Sequence, residues 1–388
     1  MPPEPASCRG LAASVVTWHR LHGRHDLPWQ RSRDPYRVWL SEIMLQQTQV
    51  ATAVPYYLRF LERFPDVHAL AAADVDAVLG AWSGLGYYSR ARNLHRAAAI
   101  VAAQGWPDDV AGLKALPGVG RSTAAAIASF CFGRRAPILD GNVKRVFSRV
   151  FGVAATDARG VERLWSLAQC CIDDPSLGLA DVPAYVQGLM DLGATVCARA
   201  KPACTRCPLS GRCTAFATDA TARFPAARAP RAAPIRAYSL LLLRRGAQVL
   251  LERRAPRGLW GGLWSLPVLC VDGDRPLEDA WRETLRRLAP ATVDPAGRTG
   301  PAGPADPTVP ALPAAPVARF EHAFTHFRMR AEVWACVLPA APAPGRVDPV
   351  PVTPDPALVA LDPRDAHALA DAPLPKPVRS LLAVLGGG

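Results

Sequence analysis

The chain has 388 residues, enough for two domains, and half of them are hydrophobic, so each domain can bury a sizeable core. There are 45 lysines and arginines against 33 acidic residues, and the net charge of +12 favours a polyanionic partner or an acidic surface without choosing between them. No apolar run reaches membrane-spanning length and no secretory leader is recognisable, so we expect a cytoplasmic protein with no membrane contact.

Helical periodicity predicts a first helix over residues 11–22 and a second from Asp34-Pro35 to about residue 50. Glu42 in the second helix lies among apolar residues, so it could stand at a pocket wall. Partial burial would raise its pKa and let it carry a proton at neutral pH. The alternative is an ordinary Glu facing solvent.

The loop WSGLGYY at residues 82–88 combines glycines with two tyrosines and is followed by Arg90 and Arg92. Aromatic side chains beside arginines suit base stacking together with phosphate contacts. The alternative is tyrosines that pack at the start of a helix.

The segment LKALPGVGRSTA from residue 113 predicts a short helix, a hairpin at residues 116–120 and an alanine-rich helix from about Ser122. Gly118 and Gly120 permit a tight turn, and the free N–H groups at the helix start can bind a phosphate. Further on, LDGNVKR places Asp140 just before another helix, where an ionised carboxylate is favoured. By themselves these are two helical turns and a capping Asp.

Together, LPGVGRSTA and LDGNVKR resemble the helix–hairpin–helix and catalytic Asp of base-excision DNA glycosylases, and most closely the MutY family of adenine DNA glycosylases. The resemblance runs from about residue 27 to residue 327. It implies that Glu42 protonates adenine and that Asp140 stabilises the sugar cation or briefly bonds to the sugar carbon. Asn142 would orient either Asp140 or the water. It also implies a base pocket at Trp29, Gln30 and Gln187. The implied DNA contacts are Gln47, Tyr87, Gly118, Gly120, Arg121, Ser122 and Lys144.

Four of the ten cysteines follow the spacing Cys197-x6-Cys204-x2-Cys207-x5-Cys213. Four thiolates in one loop can hold zinc or a 4Fe–4S cluster, and spacing alone does not choose between them. The resemblance to endonuclease III and MutY relatives implies a 4Fe–4S cofactor that stabilises the loop and docks DNA. We expect the other cysteines, including the pair at 170 and 171, to be thiols rather than disulfides.

We therefore predict an all-α helix–hairpin–helix glycosylase domain over residues 1–217, with the hairpin motif at 113–130 and an iron–sulfur loop at 197–213. A linker at 218–235 precedes a Nudix-like α/β domain at 236–388. In that domain the sequence predicts a β-hairpin near residue 245, a helix at 277–288, a Pro-rich insertion at 290–316 and a helical end from about residue 365.

Nudix hydrolysis needs paired glutamates for divalent metal, but WRETLRR at residues 281–287 has arginines there, so we expect no hydrolase activity in this half. The family uses this domain to recognise 8-oxoguanine through a Phe-Ser-His loop. Here the loop is Phe324-Thr325-His326, in which Thr keeps the hydroxyl and adds a methyl group.

Relatives that also cut the DNA strand carry Lys where this chain has Ser122, and a hydroxyl cannot form an imine. The sequence thus predicts a monofunctional, monomeric adenine glycosylase for double-stranded DNA with A:8-oxoguanine or A:G mispairs, associated with the nucleoid if the host is bacterial. The alternatives are an endonuclease III-like glycosylase/lyase for oxidised pyrimidines and a non-catalytic iron–sulfur DNA-binding protein.

Overall fold

A computed structural model describes residues 8–226, 232–288, 309–338 and 358–387. It divides into one unit formed by Met1–Ala73 and Arg90–Pro230 and a second formed by Asp74–Ser89 and Arg231–Gly388. Residues 74–89 thus group with the C-terminal unit, although the sequence predicted an unbroken helical domain over 1–217. Residues 227–231 of the predicted linker and residues 290–308 of the predicted Pro-rich insertion lie outside the described residues.

Aspartates begin many helices of the first unit, because a side-chain carboxylate at the N-cap accepts a backbone N–H that has no partner within the helix. Asp34 accepts from Arg37, Asp109 from Gly112, and Asp157 from Gly160. The α-helices of this unit are Leu11–His22, Pro35–Leu45, Val50–Arg63, Val67–Ala72, Ser89–Gln104, Val110–Ala115, Arg121–Phe132, Gly141–Val150, Ala158–Ile172, Val182–Asp191 and Thr214–Ala217.

One continuous core joins the first helix to the helices around Asp140. Its members include Leu11, Val143, Phe147, Leu164 and Tyr185, all buried. This core fixes the walls against which the candidate site is built. Among the described residues, no helix is long and apolar enough to cross a bilayer.

The second predicted helix is shorter than expected, because Pro35–Leu45 ends before the glutamine pair and a new helix begins at Val50. Gln47 has φ +57°, a left-handed conformation incompatible with a continuing α-helix. The carbonyls left open at this break are capped by Arg90, whose Nη1 donates to Ile43, Met44 and Gln46 at 2.6–2.9 Å.

Cys8 and Cys170 form a disulfide that ties the residue before the first helix to helix Ala158–Ile172. The prediction that the cysteines outside the cluster loop are thiols is therefore wrong for this pair. Two cysteines 162 residues apart give no sequence signal of their proximity. Cys171 is a buried free thiol, as predicted.

In the described residues of the second unit, seven strands form one mixed sheet. They are β1 (Ile235–Arg245), β2 (Gln248–Arg253), β3 (Trp264–Ser265), β4 (Val268–Val271), β5 (Ala318–Ala323), β6 (Arg328–Leu338) and β7 (Leu358–Leu361). The order along the sheet is β3-β2-β1-β6-β5, with β4 also paired to β1 and β7 to β2. Strands β1 and β6 are parallel and the remaining pairs are antiparallel.

Helix Leu277–Leu288 packs on this sheet through Trp281 and Leu285, which are buried against Leu241 and Trp334. Helices Ala366–Asp371 and Lys376–Gly386 end the unit. The fold class, a helical domain followed by a sheet-containing Nudix-like domain, agrees with the prediction.

Helix Val75–Trp82 belongs to the second unit because its contacts are there. Asp76 accepts hydrogen bonds from Arg253 and, at 3.2 Å, from Trp264 Nε1. A Cβ on Gly80 would lie 2.1 Å from the carbonyl oxygen of Asp371, so only glycine allows this approach. Ser83 Oγ, just past the helix, donates to the carbonyl of Leu374 at 2.7 Å.

Candidate active site

Glu42 lies on helix Pro35–Leu45 and faces a cavity of about 320 Å³ in the first unit. Burial, and after it the charge of Asp140, raises the pKa of Glu42 to about 8. A carboxylic acid that is protonated at neutral pH can act as a general acid. The sequence led us to expect a raised pKa for Glu42, and its burial in the structure is the main cause of that shift.

The three residues predicted to form a base pocket, Trp29, Gln30 and Gln187, line this same cavity. The indole of Trp29 is buried and meets Tyr57 edge to face at 5.4 Å. Other lining residues, which the sequence did not single out, include His19, Arg24, His25, Arg33, Ser41, Phe130 and Ala184. The cavity thus offers a flat apolar wall and several polar groups.

A buried carboxylate organises one side of the cavity. Asp191 is fully buried and accepts from the backbone N, Nε and Nη2 of Arg24 at 2.6–2.9 Å. It also accepts from Nε2 of Gln187 at 2.9 Å, which fixes the orientation of that amide. Because this bond uses the Nε2 group, the Oε1 oxygen is the atom of the Gln187 side chain that can accept a hydrogen bond from a ligand. Sequence reasoning missed Arg24 and Asp191, which are 167 residues apart.

Asp140 is the N-cap of helix Gly141–Val150, and its Oδ1 accepts from the backbone N–H of Val143 at 2.7 Å. Burial raises the pKa of Asp140. The backbone N–H groups of Val143 and Asn142 and the charge of Arg145 act in the opposite direction and favour the ionised form.

Asn142 is held beside Asp140 by Arg145, whose Nη2 donates to Asn142 Oδ1 at 2.8 Å and to the carbonyl of Gly193 at 2.5 Å. Gly193 packs against Asn142 so closely that an added Cβ would meet the Asn142 Cβ at 2.6 Å. Arg145 Nε also donates to the carbonyl of Cys197 at 2.8 Å. The first predicted cluster ligand is therefore linked to the Asp140 helix.

The predicted hairpin connects helices Val110–Ala115 and Arg121–Phe132. Gly118 has φ +79°, and a Cβ there would lie 2.8 Å from the Cβ of Asn93. Gly120, by contrast, is an extended N-cap with no atom within 4 Å of an added Cβ. The turn itself therefore requires glycine only at Gly118.

Two residues predicted to bind DNA beside the hairpin have contacts within the protein. Ser122 Oγ accepts from the backbone N–H of Leu139 at 3.3 Å, which connects the hairpin helix to the segment leading to Asp140. The Arg121 guanidinium lies 3.9 Å from the centre of the Trp165 ring and 3.5 Å from Glu162. Lys144 lies on the Asp140 helix and is partly exposed.

The four cysteines predicted to bind metal, at positions 197, 204, 207 and 213, line one small cavity. Arg149 fixes the loop around them, since Nη1 donates to Cys197 Sγ at 3.3 Å and to the carbonyl of Ala198 at 2.8 Å. No group of three or more His, Cys, Asp or Glu side chains arranged around a single ion is found within the described residues. Four thiols around one cavity nonetheless match the donor set of an iron–sulfur cluster.

In the second unit, Phe324, Thr325 and His326 form the turn between β5 and β6, closed by a hydrogen bond from Phe324 N to Phe327 O at 2.9 Å. The rings of Phe324 and Phe327 stack with centroids 4.6 Å apart. Thr325 Oγ1 lies 3.0 Å from the hydroxyl of Tyr87. Tyr87, predicted to insert into the base stack, and Thr325, predicted to recognise 8-oxoguanine, are therefore within hydrogen-bond distance of each other.

Arginines occupy the helix that carries the catalytic glutamates in Nudix hydrolases. Arg287 donates to Glu252 at 2.6 Å, and Glu283 is paired with Arg275. Both carboxylates are therefore paired with guanidinium groups, and the expected lack of hydrolase activity in this half stays a prediction.

Family models match both halves of the chain. Residues 40–169 match the HhH-GPD superfamily of base excision DNA repair proteins, and residues 238–384 match the NUDIX domain. The first match includes residues 74–89, which the structure groups with the second unit, and the second match begins within strand Ile235–Arg245.

Curated relatives share one name. An adenine DNA glycosylase of Buchnera aphidicola subsp. Baizongia pistaciae is 36% identical over 265 residues, covering 67% of this chain and 74% of that protein. The Mus musculus adenine DNA glycosylase is 31% identical over 397 residues, covering 87% and 72%. The Homo sapiens adenine DNA glycosylase is 40% identical over 224 residues, covering 54% and 40%.

Among solved structures, a thermostable thymine-DNA glycosylase aligns with TM-score 0.49 and 26% identity, covering 55% of this chain and 98% of that one. A non-covalent endonuclease III–DNA complex aligns with TM-score 0.46 and 22% identity, covering 56% and 98%.

Proposed function

The chain belongs to the adenine DNA glycosylase family, and on that premise we propose that it removes adenine paired with 8-oxoguanine or with guanine in duplex DNA. It is a hydrolytic DNA N-glycosylase of base excision repair. The observation that carries the finer proposal is Glu42, an acid with a pKa of about 8, in a cavity shared with Trp29, Gln30 and Gln187.

In the proposed mechanism, adenine leaves the base stack and enters the cavity, since its glycosidic bond is out of reach inside the duplex. Glu42 donates its proton to N7 of the base. The electron pair of the bond between C1′ and N9 then passes to the base, which leaves as neutral adenine. The ionised carboxylate of Asp140 stabilises the positive charge that remains on the sugar.

Water completes the reaction by bonding to C1′ through its oxygen, and its proton passes to the Glu42 carboxylate, which regenerates the acid. Asn142, fixed by Arg145, is suited to orient Asp140 or this water. The two carboxyl groups therefore need different protonation states. Burial raises the pKa of both, and at Asp140 the backbone N–H groups of Val143 and Asn142 and the charge of Arg145 partly oppose that shift.

For DNA binding we propose that the hairpin around Gly118 and Gly120 binds a phosphate through backbone N–H groups, with Arg121, Ser122 and Lys144 beside it. Gln47 and Tyr87 are both exposed and both have positive φ, 57° and 49°. Such exposed residues suit insertion into the space that the extruded base leaves.

We propose that Phe324, Thr325 and His326 recognise 8-oxoguanine opposite the adenine. Support comes from the hydrogen bond between Thr325 and Tyr87, which holds a stacking ring and a polar group together. The hydroxyl can act as donor or acceptor toward the oxidised base.

For the cofactor we propose a 4Fe–4S cluster held by Cys197, Cys204, Cys207 and Cys213. When bound, it would stabilise the loop and present nearby cations to DNA phosphates. No step of base removal involves it.

The test is a duplex with one adenine opposite 8-oxoguanine, treated with enzyme and then with or without alkali. Strand cleavage only after alkali is expected, because Ser122 cannot form the imine on which lyase activity depends. Cleavage without alkali would indicate an endonuclease III-like lyase. Intact strands in both samples would indicate a DNA-binding protein without catalysis.

A further inference from the structure

His19 stands in the wall of the cavity that contains Glu42, yet no sequence motif marks it. It lies on helix Leu11–His22, is 7% exposed, and lines the cavity with Gln187 and Trp29. Helix Val182–Asp191 packs closely against His19 at Gly188, because a Cβ on Gly188 would lie 2.9 Å from the Cβ of His19. The imidazole is therefore held by close packing.

Neither ring nitrogen of His19 has a hydrogen-bond partner within the described part of the chain. The carboxylate of Asp191 lies 3.7 Å from Nε2, beyond hydrogen-bond distance, and already accepts from Arg24 and Gln187. Burying a polar group without a hydrogen-bond partner destabilises the fold. We therefore expect these nitrogens to bind a partner from outside the chain.

Gln30 supplies a second such group in the same cavity. Its Oε1 accepts from the backbone N–H of Leu27 at 3.3 Å, which orients the amide, while Nε2 has no partner in the described residues. Two residues from different elements that line one cavity thus each carry a side-chain nitrogen without a hydrogen-bond partner in the described residues.

The pKa of His19 determines which hydrogen bonds its imidazole can form. Burial lowers the pKa of His19, as do the charges of His25 and Arg20, while Asp191 opposes them. A neutral imidazole has one donor and one acceptor nitrogen. A purine carries ring nitrogens that accept and, in adenine, an exocyclic amine that donates.

We propose that His19 contacts the substrate directly, forming a hydrogen bond with the adenine that enters the cavity and so stabilising the extruded base. This inference rests on the proposed function. It assigns no proton transfer to His19, because Glu42 already provides the acid.

The test compares His19→Phe, which keeps a ring without nitrogens, with His19→Gln, which keeps a donor and an acceptor. His22→Phe on the same helix is the matched control, since His22 is exposed and borders a surface groove outside the cavity. We measure single-turnover adenine release, melting temperature, and affinity for two duplexes. One carries a non-cleavable 2′-fluoro-deoxyadenosine and the other an abasic-site analogue.

For His19→Phe we expect release at least about 10-fold slower, corresponding to about 1.4 kcal/mol, and weaker binding of the fluoro duplex. Its affinity for the abasic duplex and its melting temperature should not fall, since the variant removes two unpartnered atoms. His19→Gln should recover most of the rate, and His22→Phe should match the wild type.

Release by His19→Phe within about 2-fold of the wild type would overturn the inference and leave the proposed function standing. Equal losses on the abasic duplex, or a lower melting temperature, would show a packing role and overturn it as well. If the wild type itself released no adenine, the proposed function would fail and the inference with it.

Discussion

At the scale of single residues, the proposed mechanism requires that Glu42 keep its proton. Burial and the neighbouring Asp140 raise its pKa to about 8, so the acid form predominates at neutral pH and is lost as pH rises through that value. We expect the single-turnover rate of adenine release to fall about tenfold per pH unit above about 8. A rate that keeps rising through this range would contradict the assignment of Glu42 as the acid.

The variant Glu42→Gln should bind the mispaired duplex normally but release adenine about 100- to 10,000-fold more slowly, the usual contribution of a general acid. Binding is measured by gel shift and release by single-turnover kinetics. Near-normal turnover would remove Glu42 from the acid role.

The same substitution should also change stability. The folded pKa of Glu42 lies above the ordinary value of 4.5, so its ionised form is disfavoured in the fold. The wild type therefore loses stability as pH rises from about 5 to about 8, whereas Glu42→Gln does not. The melting temperature of the variant should exceed that of the wild type most at about pH 8 and above. An equal difference at all pH values would contradict this.

Thr325 tests the recognition turn, because its hydroxyl lies 3.0 Å from that of Tyr87. Thr325→Val keeps the shape and removes the hydroxyl, and we expect the preference for 8-oxoguanine over guanine to fall roughly 2- to 10-fold. Thr325→Ser is the control and should stay near the wild type. The ratio of excision rates on the two mispairs is the measurement.

At the scale of elements, the hairpin offers two glycines with different requirements. Gly118→Ala combines positive φ with a clash against Asn93, and should destabilise the protein by roughly 1–3 kcal/mol. Gly120→Ala meets neither obstacle and should cost less than about 1 kcal/mol. Chemical denaturation of both variants checks this, and equal losses would show that the turn tolerates a left-handed alanine.

The cysteine loop depends on Arg149, which is 3% exposed and donates to the carbonyls of Ala198 and Phe224 as well as to the sulfur of Cys197. Arg149→Met should lower the iron content to below about half that of the wild type, because buried carbonyls lose their donor. Arg206→Met, at an exposed loop position, is the control. Full iron content in both variants would leave Arg149 without this role.

Many helices were predictable because periodicity and N-cap aspartates are local signals, and helix Leu277–Leu288 has the predicted limits. The break after Leu45 was not, since residues 46–49 continue the helical pattern in sequence. It depends on Arg90 from a later helix and on positive φ at Gln47. Tertiary contacts of this kind leave no trace in the pattern of one segment.

Sequence motifs single out Glu42, Asp140 and the four cysteines, and the structure places Glu42 at a cavity and the cysteines around another; the roles assigned to them stay predictions. The groups that support the first cavity were not predictable, because Arg24 and Asp191 meet only after folding. Cys8 and Cys170 illustrate the same limit. The sequence likewise could not show that His19 lines the cavity with unpartnered ring nitrogens, because the cavity forms only when distant segments pack together.

At the scale of the whole molecule, the net charge of +12 should make DNA binding strongly dependent on salt. Release of counterions from three or four phosphates gives a slope of about −3 or steeper for log affinity against log salt concentration. Fluorescence anisotropy with a labelled mispaired duplex measures the slope. A flat response would contradict the proposed phosphate contacts.

The placement of residues 74–89 with the C-terminal unit has a practical consequence for anyone dividing the gene product. A cut in the linker near residue 230 would leave helix Val75–Trp82 on the N-terminal fragment without Arg253, Trp264 and the Leu374 carbonyl. In that fragment the surface of helix Val75–Trp82 that these groups cover would be exposed, and we expect the fragment to aggregate more readily than the intact chain. Co-expression of both fragments, rather than simple truncation, is therefore the sound route to separated halves.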